Sequence, residues 1–164
     1  AARWQAGFRA RRIQLRAHPD EPLPRLGLAQ LWLEAREPAR AKKELEILLG
    51  PHPEEARAWS LLGECERHLG AHLAARSAWD RALALAPDDL PARFNRGILA
   101  RLEQRLTDAR TDFDWIVQRG EEDALRYLRA HLELARIELA LGAGEHAQAV
   151  YARYKQLGGE EPLE

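Results

Sequence analysis

Ala41, Ala75 and Ala109 lie 34 residues apart, and each is followed four positions later by a large apolar side chain, Leu45, Trp79 and Phe113. A fixed interval of this length marks an array of stacked helix-turn-helix units. Such a chain spreads its core along one axis, each unit packing on its neighbours.

Counting from Pro22, the copies run 22–55, 56–89 and 90–123 without a gap. A fourth copy, at about 124–161, is displaced. Gly142, Ala147 and Tyr151 lie 72 residues after Gly70, Ala75 and Trp79, whereas two clean periods give 68, so four residues have been added. The addition is assigned to Ala124 to Tyr127. It is close to one helical turn of about 3.6 residues, which predicts a lengthened helix from about Glu121 to Leu141.

Two antiparallel helices approach closely only where side chains are small, and the eighth position of each copy carries Ala29, Gly63, Gly97 and Ala135. Position twenty carries Ala41, Ala75, Ala109 and Ala147, another close approach between helices. Position twenty-four supplies the matching bulk as Leu45, Trp79, Phe113 and Tyr151. Pro53 and Pro87 stand at unit junctions, Gly70 and Gly142 mark turns within units, and Asp88 and Thr107 are the expected helix N-caps.

Trp59, Leu62, Gly63, Ala75, Trp79, Ala82 and Pro87 together resemble the tetratricopeptide repeat. The resemblance covers residues 22 to about 161 and is strongest in the second copy. The first copy departs from the pattern with Arg25 and Trp32, the second with Glu66 and the third with Glu121 in place of a terminal Pro. The resemblance implies an all-α, right-handed superhelix (α-solenoid) spanning 22–162, in which the first helix of each repeat lines a concave groove.

With 46% hydrophobic residues in 164, the chain can bury a continuous core. A net charge of −1 argues against a general nucleic-acid binder, which needs a strongly positive surface to release counterions. No apolar run reaches transmembrane length. Cys65 is the single cysteine, so no intramolecular disulfide forms.

Met is absent even at position 1, so the sequence is expected to be a trimmed or matured product from which a leader could have been removed. Localisation is left open between cytoplasm and, after such removal, the bacterial periplasm or cell envelope. Leu163 and Glu164 resemble the remnant of a cloning junction and are set aside. Arg outnumbers Lys by 22 to 3, which together with abundant Ala and Leu fits GC-rich bacterial coding.

Residues 1–21 read as a basic amphipathic capping helix: Arg3, Arg9, Arg11, Arg12 and Arg16 alternate with Trp4, Phe8, Ile13 and Leu15, with no acid before Asp20. Trp4 and Phe8 are expected to pack on the first repeat. The basic face alternatively meets an anionic membrane or an acidic partner. His18 and Pro19 also match His52 and Pro53, as the end of a preceding repeat would.

Groove positions two, five, nine and twelve follow the helical turn. They are Leu23, Leu26, Gln30 and Leu33 in repeat one, and Arg57, Ser60, Glu64 and Arg67 in repeat two. Repeat three supplies Pro91, Phe94, Ile98 and Arg101, with Asn95 beside them; repeat four supplies Arg129, Leu132, Arg136 and Leu139. Five Arg and one Glu give +4, whereas composition alone would place about two Arg in sixteen positions. The expected ligand is a peptide or protein with acidic and apolar groups, gripped by bidentate Arg.

Some members of the family grip a C-terminal carboxylate with Lys and Asn clamps. Only Asn95 and Arg129 match such positions here, while Ser60, Glu64 and Glu133 do not, which argues against that clamp. Cys65, His68 and His72 have metal-ligand spacing, but Gly70 interrupts the helix that would align them, so a core thiol and two surface imidazoles are expected, with no metal or cofactor. No phosphate loop or nucleophile elbow is present, and no enzyme activity is expected. Asp108, Asp112 and Asp114 read as a solvated acidic face, and Trp115 occupies a position that is usually exposed and variable.

The function expected is a non-enzymatic scaffold or adaptor, in bacterial complex or cell-envelope assembly. The alternatives are a self-associating structural module, hence a homo-oligomer, or a regulatory segment of a larger protein.

Overall fold

The computed structural model describes residues 2–119 and 127–163, with side chains from residue 5 onward. The described residues form α-helices joined by short turns: α1 (Ala2–Ala17), α2 (Pro22–Glu34), α3 (Pro38–Leu49), α4 (Ala56–His68), α5 (His72–Leu85), α6 (Leu90–Leu102), α7 (Leu106–Val117), α8 (Leu128–Ala140) and α9 (Gly144–Gln156). The fold of the described residues is all-α, built of helix pairs as the repeat spacing predicts. Helices α2, α4 and α6 begin 34 residues apart, at Pro22, Ala56 and Leu90. The chain divides into two compact units, Ala1–Ala92 and Arg93–Glu164.

In unit 1, α1 packs on α2, α2 on α3, α3 on α4, and α4 on α5. Its core gathers Leu26, Ala29, Ala41, Leu45, Leu48, Leu62, Cys65 and Ala78, with Trp32 and Trp59 against it. Trp79 is wholly buried, and a Cβ added to Gly63 would overlap its indole. The indole N–H donates to the Ser60 carbonyl at 3.1 Å, so the one polar atom of this large side chain is satisfied inside the core. On α1, Phe8 packs against Trp32 at 4.1 Å between ring centroids; the Trp4 side chain lies outside the described residues.

In unit 2, α8 packs against both α7 and α9. Gly97 repeats the role of Gly63: a Cβ there would stand 3.1 Å from the buried Phe113 ring. In the last repeat the bulk lies elsewhere than expected. Tyr151 is only half-buried, and Tyr154, one turn on, fills the interior.

The turn inside every repeat has one geometry. Arg36, Gly70, Gln104 and Gly142 all adopt positive φ, at 59°, 78°, 61° and 81°. In each, two backbone N–H groups reach back to the preceding helix, as Gly70 N to Arg67 O at 3.1 Å and Ala71 N to Glu66 O at 2.9 Å. This paired closure satisfies the last helical carbonyls. Glycine suits it best, yet two copies use Arg36 and Gln104.

Several local expectations are corrected. Helix α8 starts at Leu128 and is 13 residues long, like α2, α4 and α6, so it is not the lengthened helix expected from about Glu121. The inserted residues precede it, and 124–126 lie outside the described residues. Asp89, not Asp88, caps α6, accepting the Ala92 N–H at 2.9 Å. The N-cap of α7 is Arg105 without a side-chain cap, and Thr107 sits inside the helix, where its carbonyl accepts the Thr111 hydroxyl at 3.0 Å.

Gln104→Gly removes Cβ strain at positive φ while adding freedom to the unfolded chain, and the balance favours the variant by about 0.5–1 kcal/mol. Urea denaturation should show a higher midpoint with an unchanged slope, and Gly70→Ala should shift it the other way.

Candidate partner-binding surface

In unit 1 the expected groove positions split by burial. Leu26 and Ser60 are buried and pack inward, Gln30 and Leu33 are half-buried, and Leu23 stands 67% exposed. On α4, Arg57 is exposed and, among the described residues, forms no ion pair. Glu64 faces His68 at 3.8 Å. The Arg67 Nη2 also lies 3.1 Å from the His68 ring, and its Nε is buried without a hydrogen-bond partner. Glu66, at a position where a polar group is unexpected, is buried against Lys42 of α3 at 2.8 Å, and this carboxylate raises the Lys42 pKa.

In unit 2 the arginines are largely engaged within the chain. Glu133 on α8 is fully buried and receives Arg101 of α6 at 2.7 Å and Arg129 at 3.1 Å. Arg136 donates to the Pro162 carbonyl at 3.0 Å and the Leu163 carbonyl at 3.3 Å, with Glu161 at 3.7 Å. Leu132 is buried; Phe94, Asn95 and Ile98 are half-buried, and the Phe94 ring lies edge-on to Phe113 at 5.7 Å and tilted to Tyr127 at 6.0 Å. The +4 counted from sequence therefore overstates the free charge: Glu133 and Glu161 lie outside the counted positions, yet both face these arginines.

The acidic face expected on α7 is also revised. Asp112 is buried and held by Arg96 through two hydrogen bonds of 2.9 and 2.6 Å, with Arg93 at 3.5 Å. Asp108 stays exposed and pairs with Arg105 at 2.9 Å. Trp115 is enclosed by cations, with the Arg93 and Arg119 guanidinium carbons 4.0 and 4.3 Å from its ring centroid.

Cys65 lies in the unit 1 core, His68 at the exposed end of α4 and His72 at the start of α5. Burial pushes the Cys65 thiol up to about 12, the opposite of what a reactive or metal-binding thiolate needs. On α1, Arg9, Arg12 and Arg16 border an open hollow of about 530 Å³ with Phe8, Ile13 and Trp32. No described helix is long and apolar enough to cross a membrane.

A family model described as Tetratricopeptide repeat matches residues 26–89 and 73–124, more than half of the chain. The chain belongs to the tetratricopeptide repeat family. Among curated proteins, TPR repeat-containing protein PA0015 of Pseudomonas aeruginosa is 34% identical over 67 residues, 41% of this chain and 64% of that protein. Human Protein O-mannosyl-transferase TMTC1 is 32% identical over 71 residues, 43% of this chain but only 8% of the enzyme. The chain thus spans less than two thirds of each of these relatives. Among solved structures, Pseudomonas aeruginosa pilF superposes with a TM-score of 0.81 at 18% identity, covering 98% of this chain and 71% of that one. YrrB, described as a TPR protein with an unusual peptide-binding site, gives a TM-score of 0.78 at 15% identity, over 91% of this chain and 75% of that one. These structural likenesses show the fold.

Two tests follow from the ionisable groups. Arg101→Ala leaves Glu133 buried with one cation fewer and should cost about 3 kcal/mol in a denaturant titration. Because the folded Cys65 pKa exceeds the unfolded value of 9.0, its contribution is complete below pH 9 and is lost as pH rises toward 12. Native protein at pH 8 should resist thiol-reactive disulfide reagents, and denaturant should release one reactive thiol.

Proposed function

We propose that the protein is a non-enzymatic adaptor whose partner is a protein or peptide with acidic and apolar groups, recognised on the exposed side of unit 1. The observation that carries this reading is the uneven use of the five candidate arginines. Arg101, Arg129 and Arg136 meet carboxylates within the chain, whereas Arg57 and Arg67 have no carboxylate partner among the described residues. Ten residues of α-helix separate that pair by about 15 Å. Exposed Leu23 on α2 offers an apolar contact beside them. A partner carboxylate gains charge-assisted hydrogen bonds there. Glu64 opposes acids at the middle of α4, which favours a partner whose acidic groups sit at the two ends of the contact.

Membership of a family widely used as interaction scaffolds supports this class of function, and the Pseudomonas aeruginosa relative supports a bacterial setting. The match to a small part of TMTC1 supports a second reading, in which the repeats serve a larger chain. The exposed Ile13 and the hollow bordered by Arg9, Arg12 and Arg16 on α1 support a third, self-association, which mass measured against concentration would reveal.

The test is affinity capture from the native host's lysate with wild type and Arg57→Glu/Arg67→Glu, after circular dichroism shows equal helicity. Loss of captured partners from the folded variant is expected; equal capture overturns the reading. Arg101 and Arg136 are unsuitable for this purpose, since reversing Arg101 sets two carboxylates together at Glu133.

A further inference from the structure

The chain beyond α9 does not trail into solvent. Gly158, at φ 92°, closes α9 with the same paired backbone bonds that turn the chain inside each repeat, Gly158 N to Lys155 O at 3.1 Å and Gly159 N to Tyr154 O at 3.0 Å. The second helices α3 and α5 lack this positive-φ closure. Its effect is to send residues 159–163 back over α8 and α9 as an irregular, non-helical segment.

Gly159 lies flat on the Tyr154 ring, where any Cβ would overlap the ring carbons. The Glu161 N–H then donates to the Tyr154 hydroxyl at 3.1 Å, and the Tyr151 hydroxyl donates to the Glu161 carbonyl at 3.0 Å. Arg136 takes the next two carbonyls, of Pro162 and Leu163. Every one of these bonds is made to main chain. Among the described residues, the tail's one side-chain pairing in this cradle is Glu161 with Arg136, at 3.7 Å. A surface that reads backbone in this way accepts any segment of the same conformation, and Pro162 biases the residue before it toward that conformation.

We propose that Arg136, Tyr151 and Tyr154 form a docking site for an extended peptide of the form Gly-acidic-acidic-Pro, which the chain's own residues 159–162 hold closed in cis. A partner segment of this chemistry competes with the tail. Tethering directly to α9 gives the tail an effective concentration in the millimolar range, so free peptide binds poorly until the tail is displaced. The site is separate from the α4 surface, and either reading can fail without the other.

The probe is a fluorophore-labelled, end-blocked Gly-Glu-Glu-Pro peptide, titrated by anisotropy against the full chain. Gly159→Val drives the tail off Tyr154 while leaving the cradle residues intact. It should bind the probe at least about tenfold more tightly than wild type, and adding Arg136→Ala should abolish the gain. If Gly159→Val loses helicity, Glu161→Pro, which removes the N–H bound by Tyr154, takes its place under the same criterion. A helical variant that binds no better than wild type, or whose binding survives Arg136→Ala, overturns the proposal and leaves the tail as a cap on the last repeat.

Discussion

The closest approach between paired helices governs the fold. At Gly63 the backbone of α4 lies so near the Trp79 indole that no side-chain carbon fits, and Gly97 faces Phe113 under nearly the same restriction. The small residue and the large one stand sixteen positions apart, on opposite arms of one helical hairpin. Each therefore specifies the other, and the paired closure at Gly70 sets the arms so that they meet. Interior packing is dense enough that one added carbon forces neighbours out of their wells.

A second layer of order comes from buried carboxylates. Glu66 ties α4 to α3 through Lys42, Asp112 ties α7 to α6 through Arg96, and Glu133 ties α8 to α6 through Arg101. Each acid is at most 7% exposed and shared between two helices. Desolvating such pairs offsets much of their attraction, so their clearer effect is on register, because a helix displaced by a turn would leave an acid without its cation. They also reduce the free charge of the surface.

The periodic part of this architecture was legible from residue spacing, because helix starts and small-to-large pairs recur with the repeat and each rests on local side-chain size. The candidate site was legible only in part. Helical spacing marked Arg101, Arg129 and Arg136 as facing residues, but their partners Glu133 and Glu161 lie off that spacing, one on the adjacent helical row and one in the tail. Leu26, Ser60 and Leu132 face inward because the first helices are flanked on more than one side, and a rule of four positions per helix ignores that curvature. Asp112 was misread as solvated for a related reason: its partner Arg96 is sixteen residues away, where no pattern within one helix can reveal it. The start of α8 escaped because an insertion before a helix and one within it leave the same count.

Trp115 carries a practical consequence of the cations that enclose it. The remaining tryptophans, Trp4, Trp32, Trp59 and Trp79, all lie in unit 1, so this indole is the sole intrinsic chromophore of its type in unit 2. Two guanidinium groups lie within 4.3 Å of its ring centroid, and charges so close to an indole shift its emission. Loosening of α6 against α7 would register at this indole as a spectral change, a report from the second half of the chain that needs no added label.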